Sequence, residues 1–125
     1  MTTINRDEVD GYIRQAQTFL ARSRLYLADG DLHQASEKAW GAAAHMAKAV
    51  AIANGWRYES HADFSHVMNN ARNASGNDQL WSLRAMANDL HGNYYQREEL
   101  LDAEAITAGI NQIESLLNLL APLTE

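Results

Sequence analysis

Four polar side chains follow one another at helical spacing within the segment Trp81–Tyr95: Arg84, Asn88, His91 and Tyr95. Seven residues separate Arg84 from His91, which is two helical turns or about 10 Å along the axis. A fixed cation, an amide and an imidazole that titrates near neutral pH suit a phosphate ester. We therefore predict Arg84 and His91 as catalytic residues, and Asn88 and Tyr95 as substrate-binding residues.

One reaction of a phosphate ester that these residue types could catalyse is RNA cleavage without a metal. The 2′-hydroxyl is the nucleophile, and the reaction needs a base for its proton and an acid for the departing 5′-oxygen. Histidine can do either, so two copies of His91 could supply both groups. Arg84 would hold the phosphorane charge by bidentate hydrogen bonds. Asn88 would orient the phosphate or His91, and Tyr95 would stack on a base or donate its hydroxyl.

Composition limits the alternatives. At 125 residues, 46% of them hydrophobic, the chain is expected to form one domain over residues 1–125. It has no cysteine, which excludes thiolate zinc sites and cysteine nucleophiles. The formal net charge of −6 argues against broad non-specific binding to nucleic acid. Without an apolar run of membrane-spanning length or a leader-like N-terminus, we expect a cytoplasmic protein with no membrane contact.

The elements that must position the candidate residues are all predicted as helices. Strand-favouring residues are sparse, and the single proline, Pro122, stands near the end. Apolar periodicity and capping residues predict four long helices and a shorter third one, in an antiparallel up-and-down bundle. The alanine-rich second helix is expected at the centre, because small residues let neighbours approach closely. The expected bounds are about Arg6–Ala28, Asp31–Asn54, a start at Ser60, a polar turn over Asn73–Asn77, a start near Asp78, and Asp102–Pro122.

An ordered set of motifs resembles the HEPN superfamily (higher eukaryotes and prokaryotes nucleotide-binding). The set comprises Ala39–Ala49, Gly55-Trp56, Ser60-His61 and Leu90–Tyr95, and the resemblance covers roughly residues 6–121. It is nearest to a branch of small stand-alone archaeal and bacterial proteins. The resemblance implies a bundle of four to five helices, a homodimer, and in many members a metal-independent ribonuclease with an Arg-x4–6-His motif. Arg84 and His91 match the long form of that motif, with Asn88 and Asp89 as its polar residues. About one such pair arises by chance in a chain of this composition, so the spacing gains its weight from the resemblance.

Other residues have ordinary structural interpretations. We expect His45 to be a packed or interface histidine, and Trp40 and Trp56 to be core or interface anchors. His61, Asp63 and His66 imitate part of a metal site, but no Glu-x-x-His motif accompanies them. We therefore predict no metal and no cofactor, and assign His61 to the first turn of the third helix, lining a dimer groove.

The leading hypothesis is RNA or nucleotide phosphate binding by a dimeric bundle, with metal-independent endoribonuclease activity of the toxin or RNA-processing type. The alternative is a non-catalytic module that binds a nucleotide or a protein, for example a nucleotidyltransferase. A metal-dependent bundle enzyme is the third hypothesis.

Overall fold

Every regular element in the described part of the chain is a helix. The computed structural model describes residues 4–96 and 102–125, and of residues 93–96 only the backbone. This confirms the predicted all-α bundle, in which the third helix is the shortest of the five. The elements are α1 (Arg6–Ala28), α2 (Leu32–Asn54), α3 (His61–Ser75), α4 (Gln79–Gln96), α5 (Ala103–Leu120) and a closing 3-10 turn (Ala121–Thr124).

Short polar side chains fix where the helices begin, as the sequence predicts. The carboxylate of Asp31 accepts the N–H of Gln34 at 3.1 Å and starts α2. In the same way, Asp102 accepts the N–H of Ala105 at 2.8 Å and starts α5. Each cap satisfies a donor that the first helical turn would otherwise leave unpaired.

Helix α2 is the centre of the bundle, as its alanine content predicts. It contacts each of the other four helices and the closing 3-10 turn. Thirteen of its residues are buried, and most of them are alanines. One close approach is at Gly41, where an added Cβ would overlap the ring of Phe19 on α1. A side chain at this position would therefore displace the Phe19 ring or push α1 away from α2.

Polar contacts between helices give their relative directions. Arg6, at the start of α1, donates to the backbone oxygen of Thr124, and Arg24, near its end, pairs with Glu114 on α5 at 3.3 Å. Helices α1 and α5 are thus antiparallel. None of the helices within residues 4–96 and 102–125 combines the length and the apolar character that crossing a membrane requires.

The predicted polar turn over Asn73–Asn77 is wrong in its first half. Helix α3 continues to Ser75, whose hydroxyl donates to the carbonyl oxygen of Ala71 at 2.8 Å. Gly76, at φ 72°, then ends the helix in the left-handed conformation that glycine adopts without strain. The polar residues before it do not break a helix that its buried face already holds in place.

Candidate functional site

The indole of Trp40 is the meeting point of three helices. Trp40 is 7% exposed, and three other rings lie against it. The ring centroids of His61 and His91 are each 4.7 Å from it, and Phe64 packs edge-on at 4.8 Å. His61 and Phe64 belong to α3 and His91 to α4, so the indole holds both imidazoles in fixed positions relative to α2.

The two imidazoles also contact each other. The rings of His61 and His91 stack with centroids 4.8 Å apart and an interplanar angle of 26°. The Nδ1 atom of His91 is 3.3 Å from Oε2 of Glu37, and these two side chains are 23% and 26% exposed. Partial burial, followed by the positive charge of His91, lowers the pKa of His61, while Glu37 opposes the shift. We call these four residues, Glu37, Trp40, His61 and His91, the histidine cluster.

The start of α3 determines where His61 lies. His61 is the first residue of the helix, directly after its N-cap Ser60. The carboxylate of Asp63 accepts the backbone N–H groups of Glu59 at 2.8 Å and Ser60 at 3.2 Å, and the Arg57 guanidinium is 3.7 Å away. The pKa of Asp63 is lowered, mainly by the hydrogen bond from the backbone of Glu59. Ser60 and Arg57 lower it further, and burial opposes the shift. An ionised Asp63 therefore fixes the turn that presents His61.

A groove of about 840 Å³ extends from the histidine cluster along α2. At its middle, the ammonium of Lys48 lies 5.8 Å from the ring centroid of Tyr12 and 5.5 Å from that of Tyr58. Burial, followed by the charge of Asp63, raises the pKa of Tyr58 to about 12, so its hydroxyl stays protonated at neutral pH. The charged residues that line the groove are Glu8, Glu37, Lys48, Arg57 and Glu59, besides the two histidines.

One wall of the groove is the connection between α2 and α3. Gly55, at φ 70°, ends α2, and the backbone N–H of Trp56 donates to the carbonyl oxygen of Ala51 at 2.8 Å. The chain then runs back along α2, so that Trp56, Arg57 and Tyr58 line the groove. Fourteen residues of α2 separate Trp40 from Asn54, about 21 Å, which an extended connection of this length can just span.

The two members of the predicted catalytic pair have different surroundings. His91 lines the groove, whereas Arg84 is not among the lining residues. The guanidinium carbon of Arg84 lies 3.9 Å from the ring centroid of Trp81, and that of Arg72 lies 5.1 Å from the same centroid. The Nε of Arg84 is buried without a hydrogen-bond partner in the described residues. We call Arg72, Trp81 and Arg84 the arginine–tryptophan patch.

The remaining predicted residues lie nearby or outside the described part. Asn88 is half-buried in the turn between Arg84 and His91. The side chain of Tyr95 lies outside the described residues, so its predicted role stays a prediction. His45 is packed as expected: its Nδ1 is 2.7 Å from the carbonyl oxygen of Gly41, and the Phe19 ring lies edge-on at 4.7 Å. Burial chiefly lowers the pKa of His45.

Two members of the histidine cluster, Glu37 and Trp40, were not predicted as site residues. Their signal lies in a stripe on the otherwise buried central helix. Glu37, Trp40, Ala44, Lys48 and Ala51 recur every three or four residues, and all five line the groove. A charged and aromatic stripe on an alanine-rich helix indicates an open face. Across the described ranges, no group of three or more histidine, aspartate and glutamate side chains is arranged to bind a metal ion.

Comparison with known proteins identifies a family and a fold. The model of the archaeal PaREP1/PaREP8 family matches residues 11–117. A crystal structure of a protein from Sulfolobus solfataricus is similar to this chain, with a TM-score of 0.76 and 21% sequence identity. The similarity covers 89% of this chain and 97% of that one. No curated protein matches the sequence. At this identity, the structural likeness shows the fold alone.

Proposed function

The chain belongs to the archaeal PaREP1/PaREP8 family, and we propose that it is an HEPN-like protein that binds RNA or a nucleotide through phosphate contacts in the groove. A fold of five helices and the order of the sequence motifs support the HEPN-like assignment. We also propose that the protein is cytoplasmic, because RNA and nucleotides are present in the cytoplasm. The proposal includes a homodimer and metal-independent cleavage of RNA, as in a toxin or an RNA-processing enzyme.

The observation that carries this proposal is the combination of flat rings and cations along one groove. Lys48 and Arg57 are its fixed cations, and Trp56 and Tyr58 are aromatic side chains beside them. Phosphate groups bind ammonium and guanidinium by charge-assisted hydrogen bonds, and bases stack on aromatic rings. A nucleotide presents both chemistries at once. The protonated hydroxyl of Tyr58 is an additional donor for a phosphate or a ribose.

The charge of the groove favours a short ligand. Three carboxylates, those of Glu8, Glu37 and Glu59, lie among the two fixed cations. A long polyanion would meet repulsion at each of them, whereas a nucleotide or a short single strand can contact the cations alone. For contacts to about two phosphates, the logarithm of the binding constant would fall with the logarithm of the salt concentration at a slope of about −1.4.

The arginine–tryptophan patch would bind a phosphate of a longer strand. Its two guanidinium carbons are at most about 9 Å apart, because they lie 3.9 and 5.1 Å from the same centroid. Since Arg84 lies outside the groove that holds His91 of its own chain, a homodimer would be needed to bring Arg84 to a phosphate at that histidine. The role of Arg84 in charge stabilisation is thus tied to the dimer.

Two lysines on α2 make a matched test. Lys48 lies in the groove, and Lys38 lies 5.1 Å from the ring centroid of Phe19, outside it. We would measure binding of adenosine monophosphate and of a single-stranded RNA of about ten nucleotides in EDTA by tryptophan fluorescence. Losing one charge-assisted hydrogen bond corresponds to about 10- to 100-fold weaker binding, which we expect for Lys48→Ala. Lys38→Ala should bind like the wild type.

The outcomes separate the hypotheses. If neither ligand binds, or if both substitutions weaken binding equally, the proposed site is wrong. Tight binding without cleavage of the RNA would favour the non-catalytic module over the ribonuclease.

A further inference from the structure

We propose that His61 and His91 of one chain are an acid–base pair for RNA phosphodiester transfer, so that a single groove holds both groups that move protons. This inference rests on the proposed binding of RNA in the groove. It replaces the expectation that each of two protomers contributes one copy of His91.

The geometry of the histidine cluster is the first argument. The rings of His61 and His91 are stacked, with centroids 4.8 Å apart and planes within 26° of parallel. On one edge of the stack, each ring can reach a different oxygen of one phosphate. Contact with Trp40 at 4.7 Å holds both rings, which spares the ordering cost of two mobile side chains.

The surroundings of the two rings differ, which is the second argument. The carboxylate of Glu37 lies beside Nδ1 of His91 at 3.3 Å, within reach of a hydrogen bond from that nitrogen. His61 is solvent-exposed on one side, and its ring lies against those of Trp40 and His91. Partial burial, followed by the neighbouring His91, lowers the pKa of His61 and favours its neutral form near pH 7. His61 is therefore the base and His91 the acid.

Other charged groups line the groove that extends from the cluster. Glu8 comes from α1, Lys48 from α2, and Arg57 and Glu59 from the connection that precedes α3. They are present in every variant that tests the pair. Because these groups are the same in every histidine variant, a change in the pH profile can be assigned to the histidine that was replaced.

The proposed step is balanced within this pair. His61 accepts the proton of the ribose 2′-hydroxyl, and the 2′-oxygen attacks phosphorus. The bond between phosphorus and the 5′-oxygen breaks, and His91 donates its proton to that oxygen. The products are a 2′,3′-cyclic phosphate and a 5′-hydroxyl. The two imidazoles have exchanged protonation states, and water restores them.

The first test is the pH dependence of RNA cleavage in EDTA, with the products identified by their end groups. We expect the wild type to show a bell-shaped profile. His61→Gln should lose about 100-fold or more of the rate, together with the acidic limb of the profile, while RNA affinity changes little. His61→Asn should do the same.

Two variants control for structural effects. His66 lies on α3 but not in the groove, and His66→Gln should leave both limbs unchanged. Glu37 is a positioning residue, and Glu37→Gln should lower the cleavage rate and alter the alkaline limb, because Nδ1 of His91 loses the carboxylate that lies 3.3 Å away. Loss of rate without a change in the profile would indicate a merely structural role.

The second test decides whether the pair acts within one chain. His61→Gln and His91→Gln protomers are mixed and allowed to exchange. A pair within one chain predicts no recovery of activity, because every groove then lacks one group. Recovered cleavage would place the two groups on different protomers and overturn the inference. RNA binding without cleavage by the wild type would overturn the pair but not the binding site, whereas absence of binding would overturn the proposed function itself.

Discussion

Replacing Gly41 by alanine perturbs a close contact between α1 and α2. Gly41 is buried, and an added Cβ would overlap the Phe19 ring at two of its atoms. His45 lies edge-on to the same ring at 4.7 Å, and the ammonium of Lys38 lies 5.1 Å from its centroid. The ring can yield only by breaking these contacts or by moving α1 away from α2.

The expected magnitude follows from two opposing contributions. Alanine in place of glycine inside a helix stabilises by up to about 1 kcal/mol. Forcing an extra methyl group into a packed contact costs about 1–3 kcal/mol. For Gly41→Ala the second contribution dominates, which gives a net loss of about 1–2 kcal/mol. In a chain of this length each kcal/mol corresponds to roughly 3–5 °C in Tm.

Gly11→Ala on α1 is the matched control, because its Cβ would meet the nearest atom, on Arg14, at an ordinary 3.9 Å. We expect the free energy of unfolding, measured in urea, to fall for Gly41→Ala and to rise by about 0.5–1 kcal/mol for Gly11→Ala. Combining Gly41→Ala with Phe19→Leu should recover part of the loss. If both alanine variants were stabilised equally, Phe19 would have moved without cost. The close approach of α1 and α2 would then not disfavour a side chain at position 41.

Three further predictions concern stability. The pKa values of His45 and His61 are lowered in the folded state, so the unfolded chain binds more protons; the free energy of unfolding should be highest above about pH 6.5 and decline as the pH falls through the lowered values. A His45→Gln variant should flatten this decline in urea titrations, and a decline of unchanged size would contradict the assignment. Leu90 is fully buried, and Leu90→Ala should cost about 2–5 kcal/mol by urea unfolding; a loss below that range would mean that α4 and α5 close the cavity. Asp102→Ala removes the cap of α5 and should cost about 1 kcal/mol with the m-value unchanged.

The helices were predictable because their signals are local. Asp31 and Asp102 start α2 and α5 through hydrogen bonds that span three residues, and Gly55 ends α2 by its backbone conformation alone. The residues that start or end each helix are adjacent to it in the sequence, so they can be recognised without knowledge of the fold. The extension of α3 to Ser75 was missed because packing, rather than the composition of its last turn, decided where the helix ends.

The histidine cluster was only partly predictable, because tertiary packing assembles it. His61 and His91 lie on different helices and meet on Trp40 of a third. Arg84 and His91 do share one face of α4. However, the residues that pack against one face of a helix differ from turn to turn. His91 therefore contacts α2 and α3, while Arg84 packs on Trp81. Spacing along a helix predicts the direction in which a side chain projects, but not the residues that it contacts.

The position of His61 as the first residue of α3 bears on how members of the family should be aligned. The connection that follows Gly55 is not helical, so an added residue there would lengthen one wall of the groove without turning any helix. An added residue between Ser60 and Asp63 would instead rotate His61 by about 100° relative to the buried face of α3. Relatives that differ in groove length should therefore vary before Ser60, while the distance from Ser60 to Asp63 stays constant.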